Sequence, residues 1–414
     1  MVMIRPFQAV RPAEGKAAQI AALPYDVYDK KGARQAVCGR PLSFLNIDRP
    51  ETLLSEDTDM YAPEVYAAAA QRYKDMKTSG DYIQDEKPCF YLYAQTMGGR
   101  TQTGLVSCVS VDEYLRGNIR RHENTLAAKE QDRIRHIDAL SAQTGPIFLT
   151  CRSKPQLKEL IRRLTLQAPL YDFVSEDHIG HRVWKISDPQ EIEALMAQFS
   201  ELSALYIADG HHRAASAVKV CEKRRAEHPG YTGQEEFNYF LSVIFPDDEL
   251  KIYDYNRVVS DLNGMDFGEF CARLEKSFTI TALPRELDDP RPKARGEIAM
   301  YCENHWYRLT LRPDCRPDDP VEGLDVSVLQ NEVLSPLLGI ADPKNSDRIA
   351  FFGGIYGPGA VRAAVDGRGQ GVGFMMYPTS MEELLNVADA GRLMPPKSTW
   401  FEPKLRSGLF IHEF

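Results

Sequence analysis

The chain has 414 residues, 43% of them hydrophobic and 26% charged, with a formal net charge of −9 and a pI near 5.6. That length exceeds one small core and predicts two or three lobes of an ordinary globular protein. The acidic balance excludes a general nucleic-acid binder, whose footprint is a basic face. No window approaches the roughly 18 uninterrupted apolar residues of a membrane span. The first residues, M-V-M-I-R-P-F-Q-A-V-R-P, lack an apolar signal core and are interrupted by Pro6 and Pro12, so a cytoplasmic location is expected. Eight cysteines occur without a C-x-x-C pair and read as small buried thiols of a reducing compartment.

In chain order, Pro24 forces Leu23 into an extended conformation, so Leu23-Pro24-Tyr25-Asp26 is a loop that presents Tyr25 and Asp26. Ser43–Ile47 reads as a strand, followed by a D-R-P-E turn over 48–51. A helix is predicted over Pro63–Lys77, with Pro at its first turn and Gly80 past its end. Cys89–Thr96 and Thr101–Val111 alternate as strands and are joined through Met97-Gly98-Gly99-Arg100 as a hairpin. Arg120-Arg121-His122-Glu123-Asn124-Thr125 then leads into a polar helix from Leu126 to about Ala142, which Thr125 can cap. On it Lys129, Arg133 and His136 lie three or four residues apart and form one basic stripe. A strand at Pro146–Thr150, a helix at Pro155–Leu164 and strands at Tyr171–Ser175 and His181–Ile186 follow. The H-x-x-H of His178 and His181 lacks a third ligand and is not read as a metal site.

The most informative stretch is Ser203–Val218, S-A-L-Y-I-A-D-G-H-H-R-A-A-S-A-V. Ala204–Ile207 suits a buried strand, Asp209-Gly210 is a turn signal, and the alanines from Ala214 fall at helical spacing. His211, His212 and Arg213 therefore occupy the first turn of a helix. A helix start carries unpaired N–H groups and about half a positive charge, so it prefers an anion, and basic residues there oppose the dipole. A phosphate resolves the conflict: Gly210 permits close backbone approach and Arg213 offers a forked grip. The competing reading makes Asp209 a simple N-cap and leaves both histidines in solvent.

Beyond it, Phe237–Phe245 is a buried strand. The remainder alternates strands (Ile298–Cys302, Trp306–Leu311, Gly371–Tyr377) with helices (Val326–Leu334, Ser380–Gly391). Phe351–Gly357 is glycine-rich but lacks the Lys and Ser/Thr of a P-loop, and is read as a turn. Met394–Leu405 holds Lys397, Ser398, Thr399 and Lys404 in a proline-held segment that offers a second anion contact.

Collected, the carboxylates Asp26, Glu123 and Asp209 and the cations Arg121, Lys129, Arg133, His211, His212 and Arg213 suit phosphoryl transfer. Cations and backbone N–H groups neutralise phosphates, one carboxylate helps hold Mg²⁺, and another takes the proton of an attacking hydroxyl. Glu123 is a candidate base. Hydrolysis would use the same groups.

The motifs A-D-G-H-H-R-A-A, L-P-Y-D-V, R-H-E-x-T, K-E-x-D-R-I, Q-T-G-P-I and M-P-P-K-S-T-W-F-x-P-K together resemble the bacterial and archaeal family catalogued as domain of unknown function 1015, nearly end to end. That family is grouped with the ParB/sulfiredoxin superfamily, whose members bind nucleotide phosphates through a G-x-[HR]-R turn. Sulfiredoxin chemistry needs a cysteine where His211 stands, and a partition protein needs a basic DNA-binding domain that this acidic chain lacks. The resemblance to free L-serine kinases, which carry D-G-H-H-R and an upstream His-Glu, implies Glu123 as the serine-hydroxyl base, with Asp26 as its rival. It implies Asp209 for metal or hydroxyl positioning and Gly210, His211, His212 and Arg213 on phosphates. The expected protein is α/β, a mixed α+β sheet with a ParB/sulfiredoxin-like nucleotide core over 1–260 and a C-terminal α/β region over 261–414. The expected activity is Mg²⁺-dependent phosphotransfer from ATP, ADP or pyrophosphate to a small hydroxyl substrate, free L-serine first. The alternative is a ParB-like nucleotide-binding regulator without chemistry. Neither a membrane nor a nucleic-acid partner is expected, and a homo-oligomer is left open.

Overall fold

Two glycines with positive φ, Gly98 at 55° and Gly99 at 79°, close the tight hairpin that is the spine of the first sheet. Its strands, Phe90–Met97 and Arg100–Ser110, pair antiparallel from Tyr91↔Val106 to Met97↔Arg100. The computed structural model describes residues 2–367, 369 and 371–414. The chain is mixed α/β and divides into two compact units, one of Met1–Arg121, Thr125–Leu250 and Pro403–Phe414, the other of His122–Asn124 and Lys251–Glu402. Among the described residues no helix is long and apolar enough to cross a membrane.

The sheet of the first unit runs, edge to edge, Ile119–Arg120, Leu205–Asp209, Ile147–Cys151, Tyr239–Pro246, Arg100–Ser110, Phe90–Met97, Gly180–Ile186 and Tyr171–Val174, with Ile4–Arg5 also on Arg100–Ser110. Two of its pairings are parallel, Leu205–Asp209 with Ile119–Arg120 and Tyr239–Pro246 with Ile147–Cys151. Leu105, Leu149, Ile207 and Ile244 on the strands pack against Leu157 and Ile161 of the Pro155–Leu164 helix and Ala217, Val218 and Cys221 of the His211–Glu227 helix. A second core gathers Phe44, Ile47, Ala69, Tyr73 and Met76 beneath the Pro63–Thr78 helix and closes on Ile411 of the C-terminal segment. That segment is tied in by backbone bonds in both directions, Ala22 with Ser407 and Val10 with Ile411. Gly408, at φ 84°, lies so close to Phe44 that a Cβ would fall 2.5 Å from the ring.

The second unit is built on an all-antiparallel sheet ordered Phe278–Ala282, His305–Leu311, Glu297–Cys302, Val372–Met376, Tyr255–Val259, Ile349–Gly353. The Gly357–Asp366 helix seats Val361 and Val365 on it, and Gly373 leaves the room they fill.

Four local expectations change. Leu45–Asp48 is a helical turn in place of the strand expected at 43–47, closed by Asn46, whose side-chain amide donates to the carbonyls of Arg40 and Ser43. Five residues with three apolar ones, S-F-L-N-I, cannot by themselves separate a strand from a buried helical turn. Ile349–Gly353, expected as part of a turn, is a strand paired with Tyr255–Val259. The polar helix spans Ala127–Leu140, and Thr125 does not cap it: Leu126 is its N-cap, and Ser141 at φ 46° stops it before Ala142. The helix expected at Val326–Leu334 changes over Gln330–Leu334 to a π-type turn.

One polar cluster anchors the first unit. Buried Asp85 accepts from Arg11 at 2.9 Å, from Lys185 at 2.8 Å and from the Tyr91 hydroxyl. Burial pushes the Asp85 carboxyl up, but these donors outweigh it and hold it below the usual carboxylate range. Asp85→Asn should lower stability by about 3 kcal/mol in urea unfolding, because Arg11 and Lys185 are left without their anion. The wild-type contribution is fully present above the unfolded carboxylate pKa of about 3.9 and disappears as pH falls through the lower folded value. The gap between the two proteins should therefore close in acid.

Candidate functional site

Leu205, Tyr206, Ile207 and Ala208 are buried, and this fixes the strand that ends at Asp209. Its pairing with Ile147–Cys151 slips between Ile207 and Asp209, where Asp209 and not Ala208 stands opposite Phe148. Such a bulge re-aims the side chain that follows it. Gly210 then takes φ 91° and ψ 31° and begins the His211–Glu227 helix. A Cβ at Gly210 would lie 3.1–3.2 Å from Nε, Cζ and Nη2 of Arg213, so glycine is required twice, for the left-handed backbone and for the guanidinium that lies over it. No side chain caps this helix. The dipole of this helix favours a negative group at its start.

The charges around the turn are unequal. The half-buried Asp209 carboxylate accepts from the Gly210 N–H at 2.9 Å and pairs with Lys404 Nζ at 3.4 Å and Arg213 Nη2 at 3.8 Å. Burial pushes the Asp209 carboxyl up, but Lys404, Arg213, His211 and the Gly210 N–H overcome it and hold it far below the ordinary range. Arg213 also donates to the Pro146 carbonyl at 2.6 Å. Two cations, Arg213 and Lys404, thus meet on one carboxylate at the mouth of the turn.

His211 is buried beside Asp209. His212 accepts the Leu126 N–H at 2.9 Å through Nε2, and burial, then Lys129, pushes its pKa down, so the ring is neutral. It joins the Gly210 turn to the start of the Ala127–Leu140 helix. Ser216 reinforces that joint by donating to the Glu130 carbonyl at 3.1 Å.

The basic stripe expected on the Ala127–Leu140 helix splits into three environments. Arg133 is buried, paired with Asp132 at 2.8 Å, and lies 4.0 Å from the centre of the Tyr25 ring. Burial pushes the Tyr25 phenol up to about 12, so it stays protonated. His136 is buried and meets the Ile47 carbonyl through Nε2 at 2.8 Å, and burial followed by Arg133 pushes its pKa down. Lys129 is exposed. Asp26, Lys129 and Arg133 nevertheless line one cleft of about 170 Å³ with Tyr25, Arg49 and Glu51. Arg133 and Tyr25 also line a cavity of about 30 Å³, roughly one water in size, with Arg213, Asp48 and Thr144. Arg121 is exposed. Glu123 belongs to His122–Asn124 of the second unit, where the His122 carbonyl accepts the Met394 N–H at 2.8 Å.

His181 of the H-x-x-H pair is consumed structurally. It is buried between the Tyr93 hydroxyl at 2.8 Å and Ser175 at 2.9 Å, and burial, then Arg406, pushes it down to about 3. Among the described residues no cluster of three or more His, Cys, Asp or Glu is arranged for a metal ion. Mg²⁺ usually takes one or two protein carboxylates and fills its shell with phosphate oxygens and water. Asp209 fits as one such ligand.

Tyr25 and Asp48 are legible in the sequence only as loop residues, Thr144 only as part of the Q-T-G-P-I motif, and Lys404 only as a second anion contact. All four are positioned by turns and tail contacts that periodicity does not reveal. The signal for Lys404 was its motif, whose last lysine is held in place by the Gln95 amide on its carbonyl at 2.9 Å.

A family profile described as protein of unknown function (DUF1015) matches residues 4–327. No curated protein matches the sequence. Among solved structures the chain is similar to a mutant free serine kinase in complex with AMP, at 15% identity over 74% of this chain and 92% of that one, with a TM-score of 0.37. A conserved hypothetical protein from Pyrococcus furiosus matches at 14% identity over 74% and 94%, TM-score 0.36. SbnI with a C-terminal truncation from Staphylococcus aureus matches at 14% over 72% and 82%, TM-score 0.36. At these TM-scores the likenesses carry no part of the reading that follows.

Gly210→Ala should cost about 1–2 kcal/mol for the left-handed backbone alone and displace Arg213. Thermal unfolding together with an ADP titration should show lower stability and weaker binding. Lys404→Met should weaken ADP binding roughly tenfold while Lys404→Arg retains most of it, as expected for loss of one charge-assisted contact. Equal affinity in all three proteins would remove Lys404 from the site.

Proposed function

The chain belongs to the DUF1015 family, whose description carries no activity, and on that premise we propose that it is a small-molecule phosphotransferase using a nucleotide or pyrophosphate as donor. One observation carries this reading: a helix start opened by a left-handed glycine that has no side chain to cap it, with Arg213 and Lys404 both gathered on Asp209 beside it. Backbone N–H groups and a guanidinium at such a start bind terminal phosphates.

In the proposed reaction the donor's outer phosphoryl group rests at the Gly210–Arg213 turn. A hydroxyl of the acceptor gives its proton to a carboxylate, and its oxygen bonds to the phosphorus. The bridging P–O bond to the donor breaks at the same time, and the departing phosphate keeps that electron pair. Arg213 and Lys404 take up the charge that collects on the leaving oxygen. Mg²⁺, held by Asp209 and phosphate oxygens, would supply further charge neutralisation when bound.

Asp209, ionised and ion-paired, is suited to positioning and not to accepting a proton. Glu123 is proposed as the base on the motif resemblance, and Asp26 is the other candidate. Free L-serine is the proposed acceptor on the same resemblance. The depressed Asp209 and neutral His212 also favour a second reading, a nucleotide-binding switch without chemistry, because the turn itself then holds no proton acceptor.

Incubation of the protein with Mg²⁺, L-serine and ATP, ADP or pyrophosphate should yield O-phosphoserine, followed by phosphorus NMR. Glu123→Gln should lower kcat by roughly 10²–10⁴-fold if Glu123 is the base, and Asp26→Asn should do so in its place if Asp26 is. Absence of product with every donor, alongside tight nucleotide binding, would replace the kinase reading with the switch.

A further inference from the structure

Five arginines are buried among the described residues: Arg11, Arg49, Arg133, Arg257 and Arg406. Four of them hold a carboxylate, Arg11 with Asp85, Arg49 with Glu51, Arg133 with Asp132 and Arg406 with Asp177. Arg257, on the Tyr255–Val259 strand of the second unit, is 3% exposed and pairs with no carboxylate among the described residues. Its cross-strand neighbours are Phe351 and Phe374, and its guanidinium lies 5.8 Å from the Phe351 ring centre. Of its five N–H donors, one from Nη1 reaches the Tyr255 carbonyl and one from Nη2 the Lys397 carbonyl at 3.0 Å. Burial pushes its pKa down to about 10, which leaves it charged at neutral pH.

A buried charge is retained where it is paired or serves a ligand, because an uncompensated one is costly. The residue whose carbonyl it holds is itself unusual. Lys397 sits at φ 61°, the left-handed region, although it has a side chain. Backbone outliers of this kind cluster at ligand clamps. The Lys397 Nζ lies 5.4 Å from the Tyr255 ring centre, and the residue makes no ion pair with a described group. Its turn is fixed, since the Ser398 hydroxyl donates to the Pro395 carbonyl at 2.6 Å and the Thr379 hydroxyl to the Ser398 carbonyl at 3.0 Å. A rigid turn thus carries one exposed lysine whose backbone carbonyl is held by one buried guanidinium, and neither side chain makes an ion pair with a described carboxylate.

We propose that Arg257 and Lys397 form an oxyanion site in the second unit, which takes a phosphoryl or carboxylate group as their missing counter-charge. Both residues belong to the second unit, and the proposal does not depend on the phosphotransfer reading. Guanidinium forks suit such groups, and a lysine beside one adds a compact point charge.

Acetylation of the full chain with an amine-reactive acetate ester, read at Lys397 by mass spectrometry, tests it without any variant. Pyrophosphate or malonate should slow Lys397 labelling at least fivefold. Protection by pyrophosphate alone identifies a phosphoryl group, by malonate alone a carboxylate, and either upholds the site. Arg257→Met should abolish the protection, Arg257→Lys should keep part of it, and Arg213→Met, which disturbs only the turn, should leave it intact. Equal labelling with and without both anions overturns the proposal. So does protection that survives Arg257→Met or is lost only with Arg213→Met.

Discussion

The contact on which the site depends is the one between a guanidinium and a backbone with no side chain. Arg213 lies over Gly210 at a distance where a Cβ would push it aside by a few tenths of an ångström, and from there it reaches both Asp209 and the Pro146 carbonyl. Everything upstream serves this placement. The buried apolar run Leu205–Ala208 sets the depth of the strand, and the slip after Ile207 re-aims Asp209. Downstream, a 17-residue helix aligns its dipole on the same point. A cation at a helix start is ordinarily unfavourable, and here Asp209 and the Pro146 carbonyl hold it in place.

The second cation comes from far along the chain. Lys404 reaches Asp209 because the segment that carries it is built into the first unit: Gln95 holds its carbonyl, Arg406 is buried on Asp177 and Ser175, and Gly408 packs on Phe44. The site charge therefore depends on packing at the end of the sequence as much as on the motif at its centre. Core packing and electrostatics are coupled here, because loosening Gly408 from Phe44 would withdraw the ammonium from Asp209.

What the sequence discloses follows from how local each cause is. The strand, turn and helix around Gly210 were legible because apolar run, turn dipeptide and alanine spacing agree within sixteen residues. The Gly98–Gly99 hairpin was legible for the same reason. Leu45–Asp48 was not, since its helical turn is decided by the bonds of the Asn46 amide and by burial of Phe44 and Ile47, which the five letters S-F-L-N-I do not encode. The stripe of Lys129, Arg133 and His136 was legible as spacing but not as charge. Asp132, one residue away, neutralises Arg133, and burial neutralises His136. Charge in a folded chain is set by neighbours in space, and sequence spacing names only some of them.

The same principle separates roles within the turn. A carboxylate that carries two cations and a backbone N–H gains nothing by taking a proton, so Asp209 keeps its charge across the physiological range. His212 spends its lone pair on the Leu126 N–H, which denies it a proton of its own at Nε2. Asp209 and His212 are therefore fixed in charge and hold and orient their neighbours. On the proposed reading the labour divides, with an anion held at Gly210–Arg213 and the proton taken by another group.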